Sequence, residues 1–258
     1  MKTNLLIGAI SGNYSIEDVR NWIETSSFEN VERLLLLYND NAELEQYLHD
    51  NDVTIIKPSF DCWGQKKTGF STNTGTMTLD TSYDLIHNIR FFHIWSYLKT
   101  SNHDRVIITD VRDVYFNKNP FTELNTEKIT ATGEVIKYND EQWNKEHVYI
   151  NLSLIGLELL SDKQVYNVGV WGGPHKLVMD MCADIYLLSV GKLKVADQTS
   201  FNYLIQTKYK EQTIFTSLDD KFAVHLHVIN AGLVDFDLDT VSQYKIVHQY
   251  DRIKNFKR

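Results

Sequence analysis

The first fifty-six residues alternate short apolar runs with amphipathic stretches, an order that few architectures other than a parallel α/β sheet accommodate. Residues 5–10 suit burial on both faces, and Ser11-Gly12-Asn13 ends the run in a turn. Ser15, with Asp18 three positions on, marks a helix start, and Val19, Trp22 and Ile23 give that helix an apolar stripe. Residues 34–38 read as a second strand, 42–49 as a helix and 53–56 as a third strand. Parallel strands need a crossover between them, usually a helix, so this β-α-β-α-β order predicts a doubly wound sheet.

Beyond that opening, residues 59–79 are rich in Gly, Thr, Ser and Asn and read as a long loop, either a lid or a plain excursion. Residues 80–98 predict a helix with Leu85, Ile89 and Phe92 on one face. The second half predicts strands at 128–136 and 165–170 and helices at 148–160, 175–188 and 199–206. Short strands at 213–216, 224–228 and 244–247 close the chain. No repeat, low-complexity tract or linker interrupts the sequence, so one domain is the simplest organisation.

The 258 residues, 43% hydrophobic and with only 3 prolines, suffice for a substantial core. A net charge of -8 with scattered Lys and Arg excludes the basic footprint that nucleic acid requires. Cys62 and Cys182 match no metal or redox spacing, and two thiols suit a reducing compartment. The apolar run near Met1 is too short for a signal peptide or a membrane span, and none elsewhere reaches that length. A soluble, cytoplasmic protein is the expectation.

Chemistry concentrates in residues 105–116. Val106–Thr109 reads as a buried strand, and Asp110 and Asp113 follow at its C-terminal end with Arg112 between them. Ligands of open α/β sheets bind at that edge, and carboxylates there can share a divalent cation with a substrate phosphate. Residues three apart face opposite sides of a strand, so both aspartates meet one ion only if the chain turns after Asp110. The same two residues also suit an ordinary strand-to-turn transition.

Four other clusters have two readings each. Asn167, Gly169, Gly172 and Gly173 surround a strand end, fitting either close approach of a diphosphate or sugar, or a strand-to-helix turn before Pro174. Asp197 and Gln198 open a helix, as a cap or as groups holding a sugar or acceptor hydroxyl. His248 ends the last strand, structural or a metal ligand, with Asp251 and Arg252 beyond it; imidazole with carboxylates suits Mn²⁺ better than Mg²⁺. Arg90 fits either a fork to phosphate oxygens or a surface ion pair.

Taken in order, these elements resemble the GT-A-fold glycosyltransferases, enzymes that use nucleotide sugars and carry an Asp-x-Asp metal motif. Residues 109–121 look like the variant with two residues between the aspartates; Val170-Trp-Gly-Gly173 and the 246–252 stretch look like its companions. The resemblance spans about residues 5–252. It implies a single GT-A-like α/β domain, a Rossmann-type mixed sheet flanked by helices. Residues 1–125 or so would bind the nucleotide, and 126–258 the sugar and acceptor.

It further implies Mn²⁺ or Mg²⁺ held by Asp113, Asp110 and His248, Asp113 most directly. A UDP- or GDP-sugar would be the donor and a glycan or other glycoconjugate hydroxyl the acceptor. Ser11, Gly12 and Asn13 would border base and ribose, with Asp110 also in reach of the ribose. Arg90, Arg112 and Arg252 would serve the diphosphate, and Asn167, Gly169, Gly172 and Gly173 the sugar pocket. Asp197 and Gln198 would face the transferred sugar or its acceptor, and the set leans toward retention of configuration. Two rivals stand beside this reading. A sugar nucleotidyltransferase usually carries a Gly-rich loop with basic residues right after the first strand, and here no Lys or Arg follows that strand until Arg20. A non-catalytic carbohydrate- or nucleotide-sugar-binding protein is the other.

Overall fold

The computed structural model describes residues 3–58, 71–72, 75–76, 82–192, 194–232, 236–254 and 256. β1 (Asn4–Ile10), β2 (Val31–Leu37) and β3 (Val53–Ile56) run parallel, joined by helices α1 (Ile16–Thr25) and α2 (Ala42–Asp50). β2 begins earlier than its apolar run because Arg33 lies buried within it. The guanidinium is absorbed by the carbonyls of Ile23 and Asn51. Most of the 59–79 loop lies outside the described residues; within it, β4 (Ser71–Thr72) and β5 (Gly75–Thr76) pair antiparallel.

Helix α3 (Ser82–Leu98) leads into β6 (Arg105–Thr109), which pairs parallel with β1. The chain turns at once into β7 (Val114–Phe116), then continues through β8 (Ile129–Lys137), α4 (Gln142–Leu160) and β9 (Gln164–Pro174). Helices α5 (His175–Ser189) and α6 (Asp197–Gln206), strand β10 (Thr213–Thr216), strand β11 (Ala223–His225), helix α7 (Leu226–Asn230) and strand β12 (Ile246–His248) follow. The main sheet has seven strands in the order β10-β8-β9-β6-β1-β2-β3, with β9 antiparallel to both its neighbours. A second sheet, β11-β12-β7, stands at the motif end.

The core forms layers on both faces of the main sheet. One contains Leu5, Ile7, Val106 and Ile108 against Phe91 and Ile94 of α3; the other contains Leu6, Ile10 and Ile107 against Trp22 and Ile23 of α1. This is a single-domain α/β fold with a mixed sheet between helices, as the sequence implied. No helix among the described residues is long and apolar enough to cross a membrane.

Other boundaries depart from expectation as well. α4 starts six residues early because Glu141 caps it, its carboxylate accepting from the Trp143 and Asn144 amides. β9 runs through Gly172 and Gly173 rather than ending before them. The strand expected at 224–228 stops at His225, where its pairing with β12 ends, and His227 belongs to α7.

Candidate functional site

The C-terminal ends of β1 and β6 open into a cleft of about 240 Å³, lined by Ser11, Tyr14, His87, Arg90, Asp110 to Asp113 and Arg252 among others. The β6–β7 turn supplies the bend that lets Asp110 and Asp113 face one point. Val111 between them is buried, and its Cγ2 lies where a Cβ on Gly8 would stand, only 2.4 Å away. The turn therefore sits directly on the β1 backbone.

His248 comes to the same point from the second sheet, because β12 pairs antiparallel with β7 and places His248 opposite Val114. Its Nε2 lies 3.5 Å from Asp110 Oδ2 and 3.6 Å from Asp113 Oδ1. One ligand atom from each of the three residues falls within 4.8 Å of the others. His248 is buried, and its Nε2 has no hydrogen-bond partner. Burial disfavours charge on the ring, but Asp113 and Asp110 beside it lift its pKa to about 10. The sequence-predicted metal ligands thus converge, with an orphaned nitrogen aimed at two carboxylates.

Arg90 is a buried strut, neither surface ion pair nor free fork. Its Nη1 donates to Asp110 Oδ1 at 2.6 Å and its Nη2 to Asp197 Oδ2 at 3.0 Å. Burial would raise the Asp110 pKa, but Arg90 and His248 hold it well below the usual carboxylate range. Asp197 is the first residue of α6, after the cap position, and its Oδ1 accepts from the Gln198 amide at 2.8 Å. Both its oxygens are engaged away from solvent. Gln198 donates to Asn144 Oδ1 at 3.0 Å.

Asp251 stands between the other two guanidiniums, 3.1 Å from Arg112 Nη2 and 3.3 Å from Arg252 Nε. Gly12, at φ +92°, donates its amide to Asn39 Oδ1 and, with Asn13, lines an adjoining cleft that shares Tyr14 with the first. Asn167 and Gly169 lie behind the carboxylates. The Asn167 Oδ1 accepts from the Gly169 amide, whose own carbonyl accepts from the Asp110 amide at 2.7 Å. A Cβ at Gly169 would stand 2.3 Å from Asp110 Oδ2.

Gly172 and Gly173 are not with them. They pair with Ile107 and Val106 toward the opposite end of β6, and a Cβ on Gly172 would meet the Val106 carbonyl at 2.6 Å. Their missing side chains let strands approach; they do not line the cleft.

Sequence reasoning missed three contributors. Glu134 is buried and accepts from Asn167 Nδ2 at 2.6 Å; burial raises its pKa to about 7 although Asn167 and His248 oppose the shift. The next residue, Val135, has φ +66°, a rare conformation for a β-branched residue, within a stretch of irregular β8–β9 register. His225 and Thr132 stack behind His248, their ring and hydroxyl atoms linked at 3.0 Å. Only the long α/β order and the residue types could have hinted at these, since no local motif marks them.

No protein-family model matches the chain, and no curated protein sequence does. Among solved structures, the chain is similar to the apo-form glycosyltransferase GlyE of Streptococcus pneumoniae TIGR4, with a TM-score of 0.53 and 14% identity. The match covers 99% of this chain and 55% of that one, so the chain spans about half that protein's length. At this identity the likeness is one of fold.

Proposed function

We propose that the chain is a metal-dependent glycosyltransferase, moving a sugar from a UDP- or GDP-sugar to a hydroxyl of a glycan or other glycoconjugate. The observation that carries this reading is the convergence of Asp110, Asp113 and His248 on one point at the carboxyl edge of the sheet, beside a cleft bearing Arg112 and Arg252. The shared fold with a known glycosyltransferase supports it. The donor set fits a divalent cation: two carboxylate oxygens and an imidazole nitrogen otherwise without a partner suit Mn²⁺ better than Mg²⁺. When bound, such a cation neutralises charge that grows on the departing β-phosphate.

The protein's own groups divide the remaining work. Arg112 and Arg252 donate to phosphate oxygens at the cleft mouth, where forked guanidinium bonds are strong and directional. Arg90 keeps Asp110 ionised and fixed, and Asp197 acts through Arg90, not as a base. Ser11, Gly12 and Asn13 border the nucleoside in the adjoining cleft. Asn167 and Gly169 shape the wall nearest the sugar, and Gln198 approaches the sugar or its acceptor.

The test is a screen of UDP- and GDP-sugars by mass spectrometry, with and without Mn²⁺. One donor is expected to be hydrolysed or transferred with retention, and Asp113→Ala to lose nearly all of that turnover. Manganese-dependent nucleotide binding without turnover of any donor would favour a non-catalytic binding protein. Exchange of a nucleoside triphosphate with a sugar phosphate would favour a nucleotidyltransferase.

A further inference from the structure

Behind His248 lies a chain of hydrogen bonds whose direction is fixed at its far end. Thr132 Oγ1 lies 2.5 Å from the Val170 carbonyl oxygen. A carbonyl only accepts, so the single hydroxyl proton is spent there. The lone pairs of Thr132 then face His225 Nε2 at 3.0 Å, and that nitrogen must carry a proton to give. His225 Nδ1 lies 3.0 Å from His248 Nδ1. With Nε2 of a neutral ring already protonated, His225 Nδ1 is a lone pair, so the proton between the rings belongs to His248.

Thr132, His225 and His248 are all buried, so no bulk water offers an alternative partner. Of the two rings, His248 has the carboxylates of Asp110 and Asp113 beside it, at 3.5 and 3.6 Å, whereas the His225 nitrogens face only a hydroxyl and the other ring, so His225 is the ring left neutral.

We infer that Thr132 and His225 are positioning residues that commit His248 Nδ1 to its proton, leaving Nε2 as the ring nitrogen available to a cation between Asp110 and Asp113. This rests on the metal-dependent reading above but adds to it an ordered relay: Val170 carbonyl, Thr132 hydroxyl, His225, His248. Outer partners that orient a ligating imidazole typically change metal affinity by about 10–100-fold when removed. Val replaces Thr at position 132 with the same β-branched shape, so the strand is kept while the hydroxyl that accepts from His225 is lost.

Two measurements test the relay. In the metal-free wild type, ¹⁵N-edited NMR of the imidazoles is expected to find His225 neutral with its proton on Nε2; a proton on Nδ1 overturns the assignment. Manganese titration followed by electron paramagnetic resonance is expected to find Thr132→Val about tenfold weaker than wild type, with Thr132→Ser close to wild type. Equal affinity in wild type and Thr132→Val, or a serine variant as weak as the valine, overturns it. If the wild type takes up no Mn²⁺ at all, the metal-dependent reading fails, and the relay is judged by the His225 nitrogens alone.

Discussion

Arg90 shows how much one side chain can hold. Its two forks tie Asp110, 34% exposed toward the cleft, to Asp197, only 3% exposed. Removing the guanidinium leaves the buried Asp197 carboxylate with only the His87 ring, 3.8 Å away, as a basic neighbour; breaking a buried pair in this way costs about 3–5 kcal/mol in comparable settings. Arg90→Met is therefore expected to lower the urea midpoint sharply, and adding Asp197→Asn to restore much of the loss. A double variant no more stable than Arg90→Met would place the damage elsewhere. Glu134 makes a second residue-scale case. Its folded pKa of about 7 exceeds its ordinary 4.5, so the folded state binds its proton more tightly than the unfolded one. Stability from this group is full below pH 4.5 and is lost as pH rises to about 7, then levels off. Glu134→Gln keeps an acceptor for Asn167 but cannot ionise. Wild type is expected to lose stability relative to that variant between pH 5 and 8, read from paired urea unfolding curves.

At the scale of elements, strand β9 separates two roles that its glycines share in sequence. Gly169 backs the Asp110 carboxylate, whereas Gly172 packs against the β6 backbone. Gly172→Ala is expected to cost about 1–3 kcal/mol through overpacking while leaving Mn²⁺ affinity unchanged. Gly169→Ala is expected to keep the fold and weaken Mn²⁺, because Asp110 must yield to the new methyl while Arg90 holds it. Calorimetry of both variants, with denaturation run alongside, separates the two effects. These glycines also show where reading the sequence stopped. A strand of Gly, Gly and Pro carries no alternation of side chains, so its continuation past Val170 depends on its neighbours β6 and β8 and leaves no local mark. The start of α4 was hidden for a related reason: Glu141 caps it, a residue type that ordinarily signals helix interior. By contrast β1, α1, α2 and β3 were legible nearly to the residue, since each combines a clean apolar period with a strong turn or cap.

For the whole molecule, the decisive arrangement is the meeting of two sheets. Asp110 and Asp113 lie on the turn leaving the main sheet; His248 ends a strand of the second. Further ties cross the same seam: the Gln249 amide donates to the Asp113 carbonyl at 2.7 Å, and Tyr250 Oη to the Arg112 carbonyl at 3.0 Å. The three residues were legible in the sequence as candidate ligands, but the seam was not, because pairing of β12 with β7 joins opposite halves of the chain. A cation gripping all three ligands would bind the folded chain far better than the unfolded one, and so would act as a cross-link between the sheets. At a concentration of about 100 times its dissociation constant it would add about 2.7 kcal/mol. For a chain of this size that corresponds to a rise of roughly 5–10 °C in the unfolding midpoint. Thermal unfolding with Mn²⁺ is expected to show that rise, and Mg²⁺ a smaller one. Asp113→Asn and His248→Ala should each remove most of it while still unfolding cooperatively. A Mn²⁺ shift that survives in both variants would mean the ion binds elsewhere, and the two sheets would then be held at this seam by hydrogen bonds and packing alone.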